Sequence, residues 1–175
     1  MGLFGKLFDK KTCDICGGEI GLLGNKKLED GNCCKECAGK LSPWFNERRH
    51  STVADIKAQI DYREENRNTV AKFHTTRSFG EDMNVLLDED QQLFMVTRAR
   101  NLTEANPDVL SFSQVTGCDL DISENRTEEM REIRDKDGNT KRVSYNPPHY
   151  VYRYDFYIII RVNHPYFDEM RFKLN

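Results

Sequence analysis

Hydrophobic positions change their period along the chain. From Ser51 the apolar residues Val53, Ile56 and Ile60 recur at helical spacing, with Ser51 or Thr52 placed to cap and Asp55 three residues after Thr52. This predicts a helix to about Arg63. Val70 and Phe73 would continue the stripe, but Asn66 to Thr69 are poor helix formers, so one bent helix and two short ones both fit. After Gly80 the period falls to two. Tyr152, Tyr154, Phe156, Ile158, Ile160 and Val162 share one face of a long strand, with Arg153, Asp155 and Arg161 on the other. Met170, Phe172 and Leu174 alternate with Arg171 and Lys173, and Asn163-His164-Pro165 reads as the turn of a C-terminal hairpin. Earlier strands are expected at 85–87, 93–97 and 115–122. Asp137-Gly138 marks a further hairpin between 130–134 and 140–145. Six or seven strands in this part predict a strongly curved sheet, a small barrel or a sandwich.

Two segments precede the helix. In a leader, residues 1–11, Leu3, Phe4, Leu7 and Phe8 gather on one side of a short helix while Lys6, Lys10 and Lys11 lie mostly elsewhere. Such a face can rest on an anionic membrane, making these four residues candidate membrane or partner contacts. Its length of about three turns favours docking on the protein's own surface instead. Residues 12–45 form a cysteine module, 46–80 a helical connector and 81–175 an antiparallel β domain. The fold class expected is α+β.

The cysteines carry the strongest chemistry. Cys13-Asp14-Ile15-Cys16 and Cys34-Lys35-Glu36-Cys37 are separated by seventeen residues, within the range of four-cysteine zinc sites. Gly17 and Gly18 permit the tight turn of a zinc knuckle, and Asp30-Gly31 suits a hairpin before the second pair. Knuckle, hairpin and ligand-bearing helix together are similar to treble-clef and zinc-ribbon modules. Cys13, Cys16, Cys34 and Cys37 are therefore the candidate ligands of a structural Zn²⁺. Cys33, next to Cys34, is an alternative third sulfur, but Cys34 keeps the CxxC turn. Cys118, far from the others, is expected to be a core thiol.

Composition narrows the function. Hydrophobic residues make up 38% and charged residues 31%, enough apolar material for a core and too much for wholesale disorder. Net charge is −3; residues 1–80 carry 14 basic and 11 acidic side chains and residues 81–175 carry 12 and 18. That balance opposes nucleic-acid binding, which would need Lys26, Lys27, Lys35 and Lys40 on one basic face. No stretch reaches the roughly 20 apolar residues of a membrane-spanning helix, so a cytoplasmic, at most membrane-peripheral, protein is expected. Asp135-Lys136-Asp137-Gly138 fails as a calcium loop because Ile133 would occupy the first ligand position. Arg48-Arg49-His50 reads as a solvated charged turn. His74, His149 and His164 have no nucleophile at catalytic spacing, so no catalytic residue is assigned. Trp44-Phe45 are expected to pack the module against its neighbours, and the aromatics of 150–157 to pack in the sheet.

The order of a Phe/Leu/Lys leader, Cys13-x-x-Cys16-Gly17, Gly21-Leu22-Leu23-Gly24, Leu28-x-Asp30-Gly31 and Cys34-x-x-Cys37 resembles a bacterial domain family of unknown function with a four-cysteine N-terminal module. The resemblance covers residues 1–60 and implies the same four cysteines as metal ligands. More distantly, 93–97 and Asn106-Pro107-Asp108-Val109-Leu110-Ser111-Phe112 are similar to bacterial pleckstrin-homology-like or GRAM-like domains. Those folds close with a C-terminal helix, where this chain stops in a strand. The function expected is that of a zinc-stabilised binding or adaptor protein, offering a surface to a protein partner or membrane. The alternatives are an enzyme or enzyme subunit with a site assembled by the fold, and nucleic-acid binding through the zinc module.

Overall fold

The computed structural model describes residues 11–175. The leader contacts expected at Leu3, Phe4, Leu7 and Phe8 lie outside the described residues. The architecture is α+β. Among the described residues no helix is long and apolar enough to cross a membrane.

The N-terminal module has little regular structure. Strands β1 (Lys11–Thr12) and β2 (Glu19–Ile20) form one antiparallel ladder, β3 (Lys26–Lys27) and β4 (Asn32–Cys33) another, and the short helix α1 (Lys35–Gly39) follows. Ladders of two residues cannot hold themselves in water. Their apolar core is small too, consisting of Ile20, Leu28, Leu41 and the buried cysteines closed by Ile56.

Ile56 belongs to α2 (Val53–Lys72), one helix where the pattern admitted two. Its start is fixed by a capping box between Thr52 and Asp55, and Asp30 Oδ1 also accepts from the Val53 N–H at 2.7 Å. The weak helix formers at 66–69 stay helical because tertiary contacts hold them. The buried face runs Ile56, Gln59, Arg63, Asn66 and Val70, so its middle is polar. Arg63 Nη1 donates to Asp108 Oδ1 at 2.7 Å, Ser42 Oγ donates to Asp108 Oδ2 at 2.8 Å, and Asn66 Nδ2 donates to the Pro107 carbonyl at 2.8 Å. Asn106, in the left-handed conformation with φ +47°, returns a 2.7 Å bond to the Arg63 carbonyl. A buried ion pair needs such surrounding bonds to offset its desolvation.

Beyond α2, strands β5 (Arg77–Phe79), β6 (Asn84–Asp88), β7 (Leu93–Thr97) and β8 (Val109–Ser111) make a four-stranded antiparallel sheet in that order, with α3 (Leu102–Ala105) before β8. β9 (Val115–Glu128), β12 (Tyr150–Val162) and β13 (Glu169–Lys173) form a second sheet, ordered β13-β12-β9, and β10 (Met130–Arg134) pairs with β11 (Thr140–Ser144). The described residues thus hold separate sheets and no closed barrel, and the pleckstrin-homology-like resemblance gains no support. The pattern missed β5, α3 and β8, each only three or four residues long.

The main core lies between the sheets and contains Phe94, Val96, Leu110, Ile160, Val162, Phe167, Met170 and Phe172. Trp44 packs on it, edge to face with Phe172 at 6.4 Å between centroids, while its neighbour Phe45 packs on the cysteine module's core. Adjacent residues thereby join the two cores. The long strand departs from expectation. β13 reaches only the 157–161 end of β12, and among the described residues β9 is the only ladder partner of β12 from Tyr150 to Phe156. There Tyr150, Tyr152 and Tyr154, with Ile122 across from Phe156, are exposed, as is Leu120 across from Ile158. The tyrosines do not fill a sheet interface, since no layer of the described residues covers this end of the ribbon. Cys118 is likewise exposed rather than in the core.

Candidate metal centre

The two CxxC segments are shaped by backbone bonds before any metal is considered. Cys13 N–H donates to the Gly18 carbonyl at 2.8 Å and Gly17 N–H to the Cys13 carbonyl at 2.7 Å, a reversal that needs Gly17 at φ +74°. Asp30-Gly31 turns the β3–β4 hairpin, with Leu28 N–H donating to the Gly31 carbonyl at 2.9 Å. A Cβ on Gly31 would stand 2.6 Å from Val53 Cγ2 and 2.8 Å from Asp14 Oδ2, so only glycine lets the hairpin approach α2. The hairpin delivers Cys34 as the N-cap of α1, where its sulfur accepts from Cys37 N–H at 3.3 Å. Cys34 N–H in turn donates to Cys13 Sγ at 3.2 Å.

As a result the sulfurs of Cys13, Cys16, Cys34 and Cys37 lie within 4.8 Å of one another, with Cys16 and Cys34 3.9 Å apart. Four thiolates around one tetrahedral Zn²⁺ at about 2.3 Å would stand about 3.8 Å from each other, so the cluster fits a metal ion. No disulfide joins them. Cys33 is outside the cluster; it is buried, and its thiol donates to the Cys34 carbonyl at 3.4 Å.

Electrostatics separate the sulfurs. Burial raises the Cys13 pKa, but bonds from the Cys16, Cys34 and Ile15 N–H groups outweigh it and leave the thiol at about 6, a thiolate at neutral pH. Burial and the Cys34 sulfur push Cys37 upward, and burial pushes Cys33 to about 11. The buried thiols Cys37 and Cys33 thus differ in setting: Cys37 interacts with all three other sulfurs of the cluster, whereas Cys33 interacts with Cys13 and Cys34 from outside it.

Lys26 and Lys27 line a groove of about 570 Å³ with Arg48 and Arg49, whereas Lys35 lines a separate hollow beside Cys16, Cys34 and Glu36. Lys35 therefore does not share the groove of Lys26 and Lys27. Sequence reading missed the partnership of the two lysines with Arg48 and Arg49 because twenty residues separate them. Asp135 closes the β10–β11 turn by accepting from Asp137 and Asn139 N–H at 3.0 and 2.8 Å, a structural role. His164 is half-buried among Tyr62, Tyr166 and Phe167, which lowers its pKa. Its Nδ1 accepts from Tyr166 N–H at 3.3 Å, so Nε2 carries the proton and donates to Tyr62 Oη at 2.9 Å. Both ring nitrogens are engaged.

A family profile described as a domain of unknown function (DUF4428) matches residues 12–59, which span the cysteine cluster and the start of α2. No curated protein and no solved structure matches the chain.

Proposed function

We propose that Cys13, Cys16, Cys34 and Cys37 hold one structural Zn²⁺, and that the protein is a zinc-stabilised binding protein that offers a surface to a partner and performs no chemistry itself. The observation that carries this reading is the clustering of four sulfurs within 4.8 Å. Four protein ligands complete a tetrahedral shell and leave no position for water or substrate, which separates structural from catalytic zinc. Soft thiolates favour zinc over the hard cations that carboxylates select. Two-residue ladders and a small core leave metal binding as the term that folds the module.

Binding is favoured over catalysis by the state of His164, whose two nitrogens are committed to Tyr62 and Tyr166. The test is metal analysis of the purified chain. One zinc per chain is expected, lost in Cys13→Ser and Cys37→Ser and retained in Cys33→Ser. A chain that holds no zinc after reconstitution, or that loses it with Cys33 but not Cys34, ends this reading.

A further inference from the structure

Leu22 and Leu23 are 82% and 93% exposed, more than any other large hydrophobic residue described. They occupy the two central positions of a β-turn closed by Gly24 N–H donating to the Gly21 carbonyl at 2.9 Å. Those positions ordinarily take Gly, Pro, Asn, Asp or Ser, each for a backbone reason, and leucine supplies none of them. The turn is also held in place. Ile20 before it and Leu28 after it are buried in the module's core, and Asn25 Nδ2 donates to Asn32 Oδ1 at 2.8 Å at its base. The leucines cannot fold inward without withdrawing those anchors.

Directly after the turn begins the groove lined by Asn25, Lys26, Lys27, Glu29, Arg48 and Arg49, with four cations and one carboxylate. Arg48 is fixed there by a 2.6 Å bond from Nη1 to the Lys27 carbonyl. Among the described residues, none of the four cations belongs to an ion pair, and the exposed pairs all lie outside the cysteine module. An apolar tip beside unpaired cations is the arrangement that a lipid interface rewards, because leucine enters the acyl boundary while Lys and Arg meet phosphate.

From this we infer that the Gly21-Leu22-Leu23-Gly24 turn inserts into membranes and that Lys26, Lys27, Arg48 and Arg49 bind the phosphate groups of anionic phospholipids. A bilayer suits the tip better than the alternatives. Two adjacent turn leucines form a convex point that an acyl layer takes up without a matching pocket, whereas a protein partner would have to supply one. Nucleic acid would use the cations but not the leucines, and the groove has no aromatic ring on which a base could stack. The inference rests on the module being held by its metal, so zinc content is measured on every variant.

The experiment is flotation of the zinc-loaded full chain on phosphatidylcholine vesicles with and without about 30% phosphatidylserine, at low and physiological salt. Wild type is expected to float with the anionic vesicles, less so at higher salt. Leu22→Asp/Leu23→Asp and Lys26→Glu/Lys27→Glu should each reduce binding by about tenfold or more at unchanged zinc content. In Leu23→Trp, emission should shift to the blue and be quenched by brominated lipid, against the partly buried Trp44 as the one native tryptophan. Three results overturn the inference: no flotation by zinc-loaded wild type, wild-type flotation by Leu22→Asp/Leu23→Asp, or loss of flotation only in the leader variant Phe4→Asp/Phe8→Asp. Absence of zinc from the wild-type chain would instead overturn the metal assignment on which the insertion rests.

Discussion

The cysteine module and the outer end of the β9–β12 ribbon both leave large apolar side chains in water, yet they do so on opposite physical terms. In the module a pair of leucines stands at the tip of a turn, and the segment around it is anchored by Ile20, Leu28 and four clustered sulfurs. In the ribbon Tyr150, Tyr152, Tyr154 and Ile122 lie along one face of a two-stranded ladder. The opposite face is ionic, with Asp121 paired to Arg171 and Asp155 to Lys173. Further in, the same apolar face carries Ile160, Met170 and Phe172, which are buried. The exposed ribbon is thus a core face that outruns its core, whereas the exposed turn never belonged to one. Fractional exposure alone does not distinguish them. What lies around the exposed atoms does: cations and a fixed turn in the module, alternating ions and continuity with the core in the ribbon.

Removing the metal should break this comparison most strongly. Structural zinc contributes on the order of 10–16 kcal/mol to the folding of small modules, so chelation or Cys37→Ser should abolish hydrogen-exchange protection across 12–45 while β7 and the inner part of β12 stay protected. The next effect concerns the polar seam that joins both parts to α2. Arg63→Met leaves Asp108 buried and unpaired and should cost about 3–5 kcal/mol in urea unfolding, with much of it recovered in Arg63→Met/Asp108→Leu. The two ends of the ribbon face should then separate cleanly. Met170→Ala is expected to cost about 2–5 kcal/mol, and Ile122→Ala, two strands away but exposed, no more than about 0.5 kcal/mol. Gly31→Ala should cost about 1–3 kcal/mol by pressing on Val53 and Asp14, and weaken zinc retention with it.

The smallest effect is expected from pH. Asp88 accepts from His74 N–H at 2.8 Å and from Gln91 N–H and Nε2 at 3.0 and 2.7 Å, and these bonds hold its carboxyl below the usual range. Its folded pKa lies beneath the unfolded value of about 3.9, so its stabilisation is complete above that value and lost as pH falls through the folded one. Asp88→Asn should flatten the acid limb of the stability profile while leaving the module's metal content at neutral pH unchanged.

Much of this was legible in the chain itself. Two CxxC pairs, Gly17 and Asp30-Gly31 specify the knuckle and hairpin because those turns have few chemical solutions. Thr52 with Asp55 specifies the start of α2, and period-two alternation specifies β12 and β13. Such signals are local: each depends on bonds between residues a few positions apart. Tertiary structure alone decided the rest. The buried stripe of α2 passes through Arg63 and Asn66 because Asp108 and Asn106 meet them from some 40 residues away, and no periodicity rule anticipates a polar core face. The exposure of Tyr150–Tyr154 follows from where β13 ends, which the alternation of β12 does not encode. The gathering of Lys26, Lys27, Arg48 and Arg49 beside two exposed leucines arises from hairpin packing. Sequence thus determined which turns and strands form, since short-range bonds set them; packing between distant segments decided which of their faces meet water.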